Sequence, residues 1–66
     1  MSSRFIRLKE VIERTGLPRS TIYQLIKSGD FPASIRLSKR TVAWVEGEVD
    51  EWIVTKIEAT RVNDHE

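Results

Sequence analysis

Two apolar triplets with the same spacing lie close together near the start of the chain. Leu8, Val11 and Ile12 fall at i, i+3 and i+4, and so do Ile22, Leu25 and Ile26. That spacing gathers three side chains on one face of a helix. Between the triplets stand Gly16, Leu17 and Pro18. Gly16 follows Thr15 where a left-handed helix stop is wanted. Pro18 has a fixed φ and no N–H, which suits the first turn of the next helix. The pattern predicts a first helix over Leu8–Thr15 and a second over Arg19–Ser28. The second runs into the stop Ser28-Gly29-Asp30, with the cation Lys27 in its last turn. Two short helices joined by so tight a turn form a helix-turn-helix. Neither can bury its apolar face alone, so the rest of the chain must supply a shared core.

The rest is short. The chain has 66 residues, room for one domain and one small core. We expect a single domain over residues 1–66, ordered over about 4–60, with 61–66 a frayed polar tail. There is no Cys to form a disulfide or a thiolate metal site, and the one His, His65, stands in that tail. No metal or other cofactor is therefore expected. No apolar run is long enough to span a membrane, so a cytoplasmic, nucleoid-associated location is expected, with no membrane partner. So short a chain can hardly build both a core and a deep cleft, which argues against an enzyme and against a small-molecule substrate.

Beyond the second helix, Phe31-Pro32 cannot continue a helix. Ile35-Arg36-Leu37 alternates as a strand does, and Val42-Ala43-Trp44-Val45 is a second β-prone run. The two runs predict a two-stranded hairpin whose tip carries Lys39 and Arg40. The turn lacks Gly and Asn, so the sequence assigns it no type. Such a ribbon is marginal alone and must lean on the helices. Val49, Trp52, Ile53 and Ile57 then predict a third helix over about Gly47–Thr60. Near the N-terminus, Arg4-Phe5-Ile6-Arg7 is a short extended candidate or simply an arm that packs. The fold class expected is mainly α with a small β-hairpin, a winged helix-turn-helix.

Charge is unevenly distributed. The formal net charge is +1. Residues 1–44 hold nine bases against three acids, a net +6, and residues 45–66 hold two bases against seven acids, a net −5. The basic part suits a polyanion, which would draw it in over long range. The same pattern also fits a solvated surface whose two charge groups pair with each other. Glu46, Glu48, Asp50 and Glu51 crowd the start of the third helix, where carboxylates favour the positive end of the helix dipole. That explains them with less than a metal site or an acid/base pair, and it keeps that end of the molecule away from a polyanion. Trp44 and Trp52 read as core rather than as a stacking platform.

Once Ile22, Leu25 and Ile26 are turned inward, the second helix shows Arg19, Ser20, Tyr23, Gln24 and Lys27 on its other side. Each can donate a hydrogen bond and none is acidic. A helix of this kind fits the major groove of double-stranded DNA. Arg19 suits O6 and N7 of guanine, Gln24 suits N6 and N7 of adenine, and Ser20, Tyr23 and Lys27 suit phosphates. The hairpin adds Arg36, Lys39 and Arg40, able to follow the backbone or enter the minor groove. An ordinary polar helix face and charges that protect an edge strand are the plainer readings of the two elements.

The runs Leu8-Lys9-Glu10-Val11, Arg14-Thr15-Gly16-Leu17, Arg19-Ser20-Thr21-Ile22-Tyr23 and Leu25 through Pro32 together resemble the AlpA family of prophage regulatory proteins. So do Ile35-Arg36-Leu37, Arg40-Thr41-Val42-Ala43-Trp44 and Glu48 through Trp52. The resemblance covers about residues 4–60. It is a family similar to the excisionase and MerR-type winged helix-turn-helix domains. It implies a small DNA-binding transcriptional regulator of phages or integrated elements, often acting on integrase or excision genes. Carried over position by position, it implies Arg19, Ser20, Thr21, Tyr23, Gln24 and Lys27 in the recognition helix and Arg36, Lys39 and Arg40 in the wing. The family commonly has Ser where this chain has Pro18, so the usual cap of the second helix is missing here. Two other functions stay open on the residues. One is an excision factor that bends DNA and steers an integrase. The other is an inhibitor that docks its basic face on an acidic protein. A second copy of the chain and an integrase are the protein partners expected on DNA.

Overall fold

The computed structural model describes residues 4–63. The elements run β1 (Phe5–Ile6), α1 (Leu8–Thr15), α2 (Arg19–Lys27), β2 (Ile35–Ser38), β3 (Thr41–Val45) and α3 (Glu46–Asn63). The expected fold class holds: mainly helical, with a small antiparallel sheet in a winged helix-turn-helix arrangement.

The bounds of α1 agree with the apolar spacing. Gly16 adopts φ 73 and donates its N–H to the Ile12 carbonyl at 2.8 Å, the left-handed stop that the sequence predicts. Thr15 braces the turn. Its Oγ1 donates to the Val11 carbonyl at 2.8 Å and accepts the Leu17 N–H at 3.2 Å. Pro18 lies just outside α2 rather than in its first turn. Its ψ of 162 is extended, so only its carbonyl joins the helix, accepting the Ile22 N–H at 3.1 Å. At the other end α2 stops at Lys27, one residue earlier than predicted. Ser28 is the cap and Gly29 turns left-handed at φ 83. The Gly29 N–H then reaches the Ile26 carbonyl at 3.0 Å and the Asp30 N–H reaches the Leu25 carbonyl at 2.8 Å. These two nested bonds satisfy carbonyls that the helix end would leave bare.

The sheet has three strands, not two, in the order β1-β3-β2, with both pairings antiparallel. The N-terminal run predicted as a strand or arm is the third strand. Phe5 pairs with Val45 and Ile6 with Trp44, and the Glu46 N–H extends the ladder to the Arg4 carbonyl at 2.7 Å. The added strand gives β3 a neighbour on both edges, which a lone ribbon lacks.

The core takes one buried residue from almost every element: Ile6, Val11, Ile22, Trp44 and Val49, with Phe31 from the α2–β2 connection. Leu8, Ile12, Leu25 and Ile26 pack around this cluster, half-buried. β2 contributes nothing to it, since all four of its residues are exposed. Trp44 is fully buried and Trp52 half-buried, both packed as core. Trp52 meets Phe31 edge-on at 4.8 Å between ring centroids and donates Nε1–H to the Asp30 carbonyl. α3 leaves β3 without a loop and is longer than predicted. It continues through Asn63, so residues 61–63 are helical rather than frayed. Residues 64–66, including His65, lie outside the described residues.

Gly29 offers a test of the α2 stop. A Cβ placed there meets nothing within 4 Å, so backbone strain at φ 83 is the only cost. Gly29→Ala is expected to lose about 1–2 kcal/mol in chemical denaturation, with Gly29→Asn losing less. Equal stability of all three would contradict the left-handed cap.

Candidate nucleic-acid interface

α2 carries its apolar side inward and its polar side outward. Ile22 is fully buried, whereas Arg19, Ser20, Tyr23, Gln24 and Lys27 are exposed. Thr21 is half-buried at the margin, so of the six predicted positions it alone is partly withdrawn from solvent. Tyr23 does two things at once. Its ring meets the buried Trp44 ring edge-on, with centroids 6.2 Å apart. The Arg19 guanidinium lies over its other reach at 5.7 Å from the centroid. The outward arginine is thus seated through Tyr23 on the core, an arrangement favoured by the quadrupole of the ring. No side chain caps the start of α2 and its first turn has no acid. The positive end of the helix dipole therefore faces outward beside Arg19, Ser20 and Thr21 without a carboxylate to offset it.

The wing tip is Lys39-Arg40, closed by Ser38 pairing with Thr41. Two-residue hairpin turns normally need positive φ to match strand twist. Among the described residues positive φ occurs only at Gly16 and Gly29, so the tip is neither type I′ nor type II′. The mismatch is taken up beside it. The register shifts between Arg36 and Ser38, leaving Leu37 as an extra residue in β2. The Arg36 Nη1 donates to the Lys39 carbonyl at 3.0 Å. Arg36 thus braces the tip, with further N–H groups of its guanidinium left over. Lys39 and Arg40 are exposed and make no ion pair among the described residues.

The acids gather elsewhere, in part by the pairing of basic with acidic segment that the charge pattern left open, with partners that the pattern does not name. Arg14 of α1 donates from Nη2 to Glu46 at 2.6 Å, from Nη1 to Asp50 at 2.8 Å, and from Nη2 and Nε to Glu10 at 2.8 and 3.1 Å. Arg4 adds longer contacts to Glu46 and Glu10 at 3.9 and 4.0 Å. The acidic start of α3 therefore does more than meet the helix dipole. It docks on α1. Hydrogen bonds donated to Glu10, then to Glu46 and Asp50, hold the Arg14 guanidinium above its already high pKa. The raised value keeps Arg14 charged, as arginine already is over the whole working range. The Glu10–Arg14 pairing at i, i+4 is readable from the sequence, whereas partners 32 and 36 residues away are not. The acids converge on a guanidinium, and among the described residues no group of three or more acids, His or Cys is arranged for a metal. No helix among them is long and apolar enough to cross a membrane.

A helix-turn-helix with a basic two-stranded projection beside it defines a winged helix-turn-helix protein. The family described as prophage CP4-57 regulatory protein (AlpA) matches residues 4–57, and the chain belongs to that family of prophage regulators. It is 46% identical over 54 residues to an uncharacterized protein, ORF88, of Enterobacteria phage P4, covering 82% of this chain and 61% of that protein. It is 38% identical over 56 residues to the DNA-binding transcriptional activator AlpA of Escherichia coli K12, covering 76% of this chain and 80% of the relative. The chain thus spans less than two thirds of the length of the phage relative.

Arg14→Ala is expected to lower the thermal midpoint in dilute buffer, with Arg14→Lys recovering only part because Lys lacks the fork that reaches three carboxylates. Ionic screening weakens the exposed pair to Asp50 most and the part-buried pairs to Glu10 and Glu46 less, so the deficit should shrink in part at about 1 M salt. Melting curves at two salt concentrations check this, and a deficit that salt leaves unchanged would assign Arg14 a packing role instead.

Proposed function

We propose that the protein binds double-stranded DNA sequence-specifically and regulates transcription of genes carried by a phage or integrated element. The observation that carries this reading is the outward, acid-free face of α2, with Arg19 seated through Tyr23 on Trp44. In this reading α2 lies in the major groove. Arg19 and Gln24 read base edges, and Ser20, Thr21, Tyr23 and Lys27 hold the flanking sugar-phosphate. Lys39 and Arg40 neutralise phosphates from the wing, and Arg36 supports them through the tip. The clamp at Arg14 supports the reading from the other side, because it draws Glu46 and Asp50 onto α1. The E. coli relative's description as a DNA-binding transcriptional activator agrees with it.

The chemistry is binding rather than catalysis, in the cytoplasm beside the nucleoid. Few phosphate contacts give a lone domain modest affinity, so copies binding cooperatively at neighbouring sites are part of the proposal. Selection of bound fragments from a random DNA pool tests it, followed by binding of variants to the selected sequence and to a scrambled one. Arg19→Ala should lose about 1–3 kcal/mol on the selected duplex and much less on the scrambled one. Lys39→Ala should weaken both about equally and flatten the dependence of log K on log salt by ~1. Equal losses on both duplexes for both variants would overturn the division of roles.

A further inference from the structure

The wing carries an exposed apolar side chain that takes no part in the core cluster. Leu37 is the extra residue at the register shift, so it has no cross-strand partner. It is 44% exposed on a strand with no buried residue. A bulge re-aims the side chain it carries. Around Leu37 stand Arg36, Lys39 and Arg40, and the whole stretch from Phe31 to Val45 holds no acid. The tip is held rather than loose, through the two-residue turn and the Arg36 bond to the Lys39 carbonyl.

Charged residues alone would protect a free edge, and an aliphatic group set among them works against that protection. Its surroundings also indicate the partner. Cations around an aliphatic group call for negative charge on both sides of an apolar slot. The minor groove of DNA offers both, with phosphates on its walls and sugars and stacked bases between them. We propose that Leu37 is an apolar wedge that enters the minor groove at a base step while Lys39 and Arg40 hold the adjacent phosphates. This rests on the DNA-binding reading above. It gives the wing a second task, that of partly unstacking one step and kinking the duplex. Flexible pyrimidine–purine steps resist that least, so the wedge also adds a preference at a step that no polar side chain reads.

The test uses a duplex of about 25 base pairs carrying the sequence the full chain selects from a random pool. Fluorophores at its ends report bending, and 2-aminopurine placed stepwise through the protected region reports unstacking. The wild-type chain is expected to bend the duplex by an angle in the ~20–90° range and to brighten 2-aminopurine at one step. Leu37→Ala should lose at least about half of that bend and the brightening, with affinity kept within about tenfold. Leu37→Met should keep both, because it preserves an apolar wedge. Ile35→Ala, removing an equally exposed apolar side chain from the same strand, should change neither. Unchanged melting curves for Leu37→Ala separate a lost wedge from a lost fold. A bend that survives Leu37→Ala, or binding with no unstacked step, overturns the wedge and leaves the DNA reading intact. No binding of wild-type protein to any duplex overturns both.

Discussion

Trp44 sits in the middle strand with no exposed surface, and its single polar atom is satisfied by the Pro32 carbonyl at 3.1 Å. Through it the separate parts of the chain are fixed to one another. Ile6 pairs with it from β1, Tyr23 of α2 rests against its ring, and the α2–β2 connection is tied to its nitrogen. In so small a core the loss of such a ring is worth about 3–5 kcal/mol. That is a large share of the ~5–15 kcal/mol by which a domain is stable. The same ring also sets the geometry of the proposed DNA-facing side, because Arg19 lies over Tyr23 and Tyr23 rests against Trp44. Stability and the geometry of the outward face are therefore one property here.

Charge is sorted by a second contact. The chain is almost neutral, yet its acids do not spread over the face that α2 and the wing present. Two bases, Arg4 and Arg14, meet Glu10, Glu46 and Asp50. Exposed ion pairs add little stability each. Their larger effect is on the field, because they gather negative charge at the junction of α1 and α3 and leave the α2 and wing cations without an ion-pair partner among the described residues. In the proposed reading Arg19, Lys27, Lys39 and Arg40 then act on an approaching polyanion from a surface whose nearest acid along the chain is Asp30, just past the end of α2.

Local signals were legible in the sequence and distant ones were not. The bounds of α1 follow from Leu8, Val11, Ile12 and Gly16, all within nine residues. The outward face of α2 follows from Ile22, Leu25 and Ile26 at i, i+3 and i+4 on the other side. Three features were hidden for a common reason, namely that their partners are far along the chain. β1 is two residues long and acquires meaning only opposite Trp44 and Val45. Phe31 reads only as the residue before a helix-ending proline and is placed in the core by distant partners, Trp52 edge-on against it among them. Glu46 and Asp50 read as helix-start acids until Arg14 is placed beside them. The wing tip was hidden for another reason. Its sequence has no Gly or Asn to name a turn, and the strain goes into a shift at Leu37 that no residue type announces. The overlong α3 reflects the absence of a stop signal between Thr60 and Asn63, where polar composition alone suggested fraying.

The most direct test of the central claim is a titration of isotopically labelled protein with a short duplex, followed by backbone amide resonances. The account predicts that the largest shifts fall on Arg19, Ser20, Gln24 and Lys27 of α2 and on Lys39 and Arg40 at the tip. Glu48 and Glu51 at the start of α3 should stay still. Shifts concentrated on α3, with α2 unmoved, would contradict it.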